Sequence, residues 1–445
     1  MATSQRYYDD LVERFELSNP GSKDVYAKAT ASMPGGNTRS VLYYHPFPVA
    51  IRNASGSRLY DVDGHEYVDL LGEYTAGIYG HSEPRIINAI TEAAGRGLNY
   101  GGHGENEARL AELIKARFPS IDLLRFTNSG TEATLMALAA ARAYNGKDKV
   151  LVFAGAYHGG AFSFAGGQSG PVNAPFEYLM AIYNDIDSVN RTLESKAHSD
   201  SLAAILVEPM IGSGGAIPAN ADFLKGLRTL ATRFNALLIF DEVMTSRMHH
   251  GGGIQSTPPA KYKPDVTTFG KYMGGGLSFG AFGGRRAIMD QFDPRRSGAL
   301  AHAGTFNNNV LTMAAGRVGL EQVFTPARAM ALHHRGEQLR RRLQDIAGDS
   351  LMKVTGYGSI MSIHFTATPN HQIMRPSDIG SDHKQLGDIL HLFLLQQGYY
   401  IARRGFIALS LALADDELDG FCGAIGRFVG TYKRLLELPT DRARL

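Results

Sequence analysis

Lys271 stands in the stretch "FGKYMGGG", a lone basic residue before a run of glycines. Glycines beside a lysine suggest a phosphate loop, but that loop needs its glycines before the lysine and a Ser or Thr after it. Here Tyr272 follows, and Asp265 occupies the place of the loop's first glycine. Nor does the stretch read as a G-x-G-x-x-G turn between strand and helix. A lysine placed beside other desolvated groups has its ammonium form disfavoured and becomes a nucleophile, although most lysines are simply solvated.

Other reactive types recur at comparable places. In "NSGTEA", Ser129, Gly130 and Thr131 open a helical stretch. Two hydroxyls and free backbone N–H groups at the positive end of a helix suit a phosphate. Ser129 and Glu132 also have capping-box spacing, so a well-capped helix alone would give the same letters. Asp241 follows the apolar run "LLIF". A carboxylate there stays ionised only beside a cationic or strongly donating partner, which a protonated ring nitrogen or an ordinary ion pair would supply. Tyr157, between glycines in "GAYHGG", would stack on a planar ring or merely pack. Phosphate, ring nitrogen, ring face and nucleophilic lysine are the four handles that pyridoxal 5'-phosphate requires, with the lysine forming an imine and the aspartate keeping the ring an electron sink. His158 has no second histidine or carboxylate at ligand spacing, so no metal site is expected.

The elements that position these residues follow from the apolar pattern. Five short runs, "LLRFT" (123–127), "KVLVF" (149–153), "AAILV" (203–207), "LLIF" (237–240) and "DVTTF" (265–269), suit strands buried on both faces of a mostly parallel sheet. The segments between them are long enough for crossover helices. Each run is followed by a chemistry-bearing group: Asn128-Ser129-Gly130-Thr131, Tyr157-His158, Glu208, Asp241-Glu242 and Gly270-Lys271. Open α/β sheets bind ligands beyond the carboxyl ends of their strands, so one sheet edge gathers all five. Before this region, "PFPVAIRNASGSRLYDVDGHEYVDLL" alternates apolar and polar residues across two turns and reads as an antiparallel meander. After it, a charged helix, the strand-like "GSIMSIHFTA" and two further elements suggest a smaller α+β part that shares its core with the meander. The expected division is residues 1–75 and 326–445 for the smaller domain and 76–325 for the cofactor domain.

Composition excludes several classes of function. The chain has 445 residues, with 45 Lys and Arg against 43 Asp and Glu, a formal net charge of +2. That is no footprint for nucleic acid or a polybasic membrane patch. One cysteine, Cys422, permits neither an intramolecular disulfide nor a thiolate cluster. No apolar run approaches the roughly 20 residues of a membrane span, and the polar start has no apolar leader. The cytoplasm is the expected setting.

With these residues in view, the chain resembles the class III aminotransferases of pyridoxal phosphate fold type I. "NSGTEA", "GAYHGG", "VEPM", "LLIFDEVMTSR", "FGKYMGGGLSFGAFGG" and "GTFNNNV" occur in that family's order and approximate spacing over nearly the whole chain. The resemblance implies an α/β fold, a Schiff-base Lys271 and Asp241 as partner of the pyridine nitrogen. It also implies Tyr157 on one ring face, Val243 on the other, and Ser129, Gly130 and Thr131 on the phosphate. It further implies a homodimer with the site at its interface, in which Thr305 reaches the neighbouring subunit's phosphate.

Within the family, "GGNTRSVLYYHPFP", "LLGEYTAGIYGHS", "FNNN" and "RRGF" are most similar to β-phenylalanine-type aminotransferases, which are related to glutamate-1-semialdehyde aminomutase. An arginine fork pairs with a carboxylate in bidentate fashion. Arg39 and Arg404 are the substrate-carboxylate candidates, with Arg403 an alternative to Arg404. Tyr43, Tyr44, Phe47 and Tyr74 would wall an aryl or alkyl pocket or belong to the core. The expected reaction is transfer of the amine of a β-amino acid to a keto acid, 2-oxoglutarate or pyruvate. An aminomutase moving the amine within one substrate, and an amine transaminase with little need of a carboxylate, are the alternatives.

Overall fold

The chain begins with two helices, α1 (Ala2–Ser18) and α2 (Pro20–Thr30), followed by a meander of β1 (Ile51–Ser55), β2 (Arg58–Asp61) and β3 (Glu66–Asp69). The computed structural model describes residues 2–257, 262–380 and 383–437. Residues 438–445 of the expected C-terminal part therefore lie outside the described residues. The two turns of the meander occur where Ser55-Gly56 and Asp63-Gly64 were expected to break the alternation. Asp63 also ties the meander to α2, whose first backbone N–H groups, Gly21 and Ser22, donate to its carboxylate at 2.6 and 2.9 Å. A carboxylate at a helix N-terminus satisfies orphan donors and complements the dipole.

Two amphipathic helices, α3 (Pro84–Gly95) and α4 (Glu105–Arg117), lead to the main sheet. Its strands are β4 (Leu123–Thr127), β5 (Lys149–Phe153), β6 (Glu177–Ala181) and β7 (Leu202–Val207), with α5 (Gly130–Asn145) crossing from β4 to β5. A small hairpin of β8 (Met210–Ile211) and β9 (Ile217–Pro218) precedes β10 (Leu237–Asp241), β11 (Val266–Gly270) and β12 (Gly280–Gly284). The order is β4-β12-β11-β10-β7-β5-β6, parallel except for β12, which runs antiparallel to both neighbours. β7, β10 and β11 are buried at every position, as strands covered by helices on both faces must be.

All five expected strands are present. Two others escaped the sequence pattern, and β12 corrects the reading of the glycine run. Gly280, Gly283 and Gly284 are strand residues of the sheet. A Cβ on Gly280 would come within 2.1 Å of the Ser129 carbonyl oxygen, and one on Gly284 within 2.1 Å of that of Asp265. Only glycine lets this strand lie so close to its neighbours. The glycines nearer Lys271 do turn the chain, Gly275 at φ 70°, but Gly274 and Gly275 pack on Phe279 and Ala315.

Beyond residue 325 come the helix Pro326–Ala347, β13 (Met352–Tyr357), β14 (Ile360–Phe365), the helix Lys384–Gln396, β15 (Tyr399–Tyr400), β16 (Phe406–Ala408) and the helix Asp415–Thr431. β13, β14 and β16 form an antiparallel sheet. β15 joins the N-terminal meander instead, pairing parallel with β3 through Tyr399↔Val68 and Tyr400↔Asp69. Chain from the two ends thus shares one four-stranded sheet and one buried apolar cluster, in which Phe15, Tyr44 and Phe47 meet Leu390, Ile425 and Phe428. Among the described residues, no helix is long and apolar enough to cross a membrane.

Candidate active site

The carboxyl ends of β4, β5, β7, β10 and β11 converge as the strand order requires. At the end of β4, Ser129 caps α5, its Oγ accepting from Glu132 N at 3.1 Å. Glu132 does not complete the box; its carboxylate accepts from Asn128 N at 2.8 Å. Gly130 and Thr131 open the 16-residue helix with backbone N–H groups that have no hydrogen-bond acceptor among the described residues. The loop after β5 closes over them: Gly160 N donates to Thr131 Oγ1 at 3.3 Å, and a Cβ on Gly159 would fall 2.1 Å from that oxygen.

Asp241, the last residue of β10, is 5% exposed. Its Oδ1 accepts from Val243 N at 3.0 Å, and its Oδ2 lies 2.8 Å from His158 Nδ1. His158 is itself buried, and its Nε2 has no partner among the described residues. The sequence left this histidine without a function; its place is against the aspartate, orienting the carboxylate. Val243 packs against Gly130 and Gly270, where added Cβ atoms would meet it at 3.0 and 3.2 Å. The helix start, the end of β10 and the end of β11 are therefore in direct contact.

Lys271 follows β11 directly, in left-handed backbone at φ 57°. For a residue with a side chain that conformation costs of order 1–2 kcal/mol, and the burial of β11 and of Tyr272 behind it holds the chain there. Lys271 Nζ has no hydrogen bond or ion pair among the described residues. Burial pushes its pKa down, and Arg39 and, more weakly, Arg404 act in the same direction, against Asp241 and Glu73. The amine is thus held toward the neutral, nucleophilic form.

Tyr157 is 45% exposed, with its backbone N–H held by Glu208 Oε1 at 3.0 Å. Glu208 closes β7, and its second oxygen accepts from Gly212 N at 2.9 Å. Burial raises its pKa to about 7. Its work is therefore to fix the loop that carries Tyr157, a function invisible in its neighbouring letters.

A second group of residues faces Lys271 from outside the main sheet. Tyr74 is 7% exposed and stacks on Phe406 at 5.9 Å between ring centroids. The guanidinium of Arg39 lies 5.4 Å from the Tyr74 ring centre and that of Arg404 5.3 Å from it. Arg404 Nη1 also donates to Ser213 Oγ at 3.0 Å, and Arg39 is ion-paired with Glu73. Arg403 is ion-paired with Asp388, and both line the same cavity as Arg404. Tyr43 and Tyr74 line a cavity of about 400 Å³ together with Val41, Ile363, Phe365 and Arg404. Tyr44 and Phe47 are instead core, 4% and 2% exposed and packed around Phe15.

Glu73 and Tyr74 sit on a turn that no sequence pattern foretold. Gly72, Glu73, Tyr74 and Thr75 all have positive φ, 52°, 45°, 51° and 84°. Asp69 Oδ1 accepts from both Leu71 N and Gly72 N, and Gly72 lies against the Ala408 carbonyl of β16, leaving no space for a Cβ. The turn is braced on both sides, as strained backbone must be. Thr305 is exposed and lines a separate cavity of about 1210 Å³ with Tyr100, His103 and Asn308. Its neighbour Asn307 accepts from Asn128 Nδ2 at 3.0 Å, at the edge of the helix start.

The aminotransferase class-III family model matches residues 41–428. A β-phenylalanine transaminase from Variovorax paradoxus is 48% identical over 434 residues, covering 96% of each chain. Glutamate-1-semialdehyde 2,1-aminomutase 2 from Brevibacillus brevis is 36% identical over 427 residues, covering 91% of this chain and 96% of that one. Among solved structures, the β-phenylalanine aminotransferase from Variovorax paradoxus superposes with a TM-score of 0.93 at 47% identity, covering 97% of this chain and 99% of that one. An omega-transaminase from Sphaerobacter thermophilus superposes at 0.84 with 34% identity, covering 93% and 98%.

Proposed function

The chain belongs to the class III aminotransferases, pyridoxal-phosphate enzymes of fold type I, and from that premise we propose that it transfers the amine of a β-amino acid to 2-oxoglutarate or pyruvate. The observation that carries the substrate reading is the pair of guanidinium groups, Arg39 and Arg404, on the one ring of Tyr74. Both bias the proton affinity of Lys271, so both stand within electrostatic reach of the amine. A β-amino acid has a carboxylate one carbon further from its nitrogen than an α-amino acid, and it needs a fork set back from the lysine. The neighbouring cavity of about 400 Å³, lined by Tyr43, Tyr74 and Phe365, would take an apolar side chain.

The donor set fits the cofactor. A lysine amine depressed by desolvation and without a partner among the described residues, a buried carboxylate fixed by His158, and an open helix N-terminus over which no bulkier residue than Gly159 would fit are handles that the cofactor needs. When bound, pyridoxal phosphate supplies a carbonyl carbon for the amine and a ring that takes up the electron pair left when a proton departs. Lys271 Nζ would hold the cofactor and, once released by the substrate amine, accept the proton from the amine-bearing carbon and later deliver it, as base and then acid. Asp241 would keep a proton on the ring nitrogen, with His158 holding the carboxylate in place. Ser129, Gly130 and Thr131 would hold the phosphate, and Tyr157 and Val243 would bound the ring on its two faces.

We further propose a homodimer in which Thr305 reaches the phosphate bound by the partner subunit, and a division into a cofactor domain of residues 76–325 and a small domain of 1–75 with 326–445. A cytoplasmic setting agrees with the single, unpaired Cys422. The decisive experiment is a panel of α-amino acids, β-amino acids and plain amines against both acceptors, repeated with Arg39→Ala. The expected result is a preference for β-amino acids that Arg39→Ala erases. Equal turnover of plain amines, or an intact preference in Arg39→Ala, would overturn the reading, and turnover without any acceptor would point to an aminomutase.

A further inference from the structure

We propose that Glu73 is a displaceable counter-ion for Arg39, and thereby sets how tightly the site holds a carboxylate-bearing substrate. The proposal rests on the reading of Arg39 as the substrate-carboxylate residue. A carboxylate is an unexpected neighbour for a group that must bind carboxylates, because the two compete for the same guanidinium. Glu73 nevertheless occupies Arg39 Nη1.

The two partners are held very differently. Glu73 sits on the left-handed turn braced by Asp69 and Ala408, so its backbone is fixed where few residues would settle unaided. Arg39 lies between two short 3-10 turns, its backbone N–H bonded to Asn37 Oδ1 at 3.0 Å, and its long side chain rests on the Tyr74 face. Both side chains are about half exposed, 44% for Arg39 and 52% for Glu73. Exchange of one carboxylate for another is therefore open to the solvent and leaves nothing buried without a partner. A pair this exposed is weak, and so it can yield to a ligand that brings other contacts.

The exchange also conserves charge near the lysine. Arg39 lowers the proton affinity of Lys271 and Glu73 raises it. With Glu73 in place before binding and a substrate carboxylate after, the guanidinium always has an anion beside it, and Lys271 keeps its poise. A donor without a carboxylate would leave Glu73 where it is and pay no such competition.

The test is a half-reaction, holoenzyme with amino donor alone, read by the change in cofactor absorbance, so that no keto acid competes for Arg39. The donors are an aromatic β-amino acid and 1-phenylethylamine. Glu73→Gln is expected to lower the apparent Kd of the β-amino acid about three- to fivefold, the upper part of the range open to an exposed ion pair. The Kd of 1-phenylethylamine stays within about twofold of the parent. Glu73→Asp, which keeps the charge on a shorter arm, is expected to fall between parent and Glu73→Gln, and it carries the test if Glu73→Gln does not fold. An unchanged or raised Kd for the β-amino acid, or an equal shift for both donors, overturns the proposal. If Arg39→Ala removes the difference between the donors while Glu73→Gln changes nothing, only this proposal fails; if Arg39→Ala leaves the difference intact, the reading of Arg39 fails with it.

Discussion

The wall of the site that faces the cofactor and the wall that faces the substrate are built on different plans. Asp241, Tyr157, Lys271 and the start of α5 all stand at or just after the carboxyl ends of strands in one buried sheet, and Asp241 is held by a second buried side chain. Arg39, Glu73, Tyr74 and Arg404 come from irregular chain at opposite ends of the sequence, and the charged groups among them are exposed. Proton transfer needs groups fixed within tenths of an ångström, which a sheet edge provides. Recognition of a carboxylate tolerates a looser frame, because a guanidinium can re-aim its fork over an aromatic face.

Substitutions should separate the walls. Lys271→Ala removes the proposed proton carrier, and kcat should fall by about 10²–10⁴-fold. The check is single-turnover kinetics, and bound cofactor should no longer change colour with donor at the parent rate. Asp241→Asn removes a charge-assisted bond to the ring nitrogen worth about 1.5–3 kcal/mol, so kcat should drop roughly 10- to 150-fold with all donors alike. If the loss were confined to carboxylate donors, the two walls would not be separate. Arg39→Ala should lower kcat/KM about tenfold for carboxylate donors through KM, the low end of a charge-assisted bond, and leave plain amines unaffected.

The smallest effect on turnover concerns acid. Burial pushes His364 down to about 4 and His391 down to about 3, and both lie on elements behind the substrate wall. A free imidazole titrates near 6.5, so below that pH the unfolded chain binds protons that the folded chain refuses. Their contribution is complete above about pH 6.5 and declines toward pH 4, by up to about 1.4 kcal/mol per histidine for each pH unit. Hydrogen exchange at pH 5 should therefore rise first in β14 and the helix Lys384–Gln396, with β10 and β11 still protected. Equal loss of protection in both regions would contradict the comparison.

The cofactor wall was legible because each strand is a short, largely apolar run followed within a few residues by a chemistry-bearing group. β12 was not, because Gly280-Ala281-Phe282-Gly283-Gly284 has the letters of a turn; its glycines answer to the close approach of Ser129 and Asp265, which only the fold reveals. β6 carries Glu177 and Tyr178 within five residues and lies at the sheet edge, so its apolar signal was diluted. Most of the substrate wall was legible only through family resemblance, since Arg39 and Arg404 meet through long-range pairing of β15 with β3 and the seating of β16 beside the turn at Gly72. Glu73 was missed outright. Three successive non-glycine residues in left-handed backbone follow from tertiary bracing, and nothing in "GEYT" announces it.

Because one ring supports both guanidinium groups, positions 39, 74 and 404 cannot be tuned as independent variables. In a lineage drifting toward new donors, or in a laboratory library, a change at Tyr74 would rewrite the value of every later change at either arginine. The order in which such substitutions arrive would then decide which specificities are reachable, and double-mutant cycles across the three positions should be strongly non-additive.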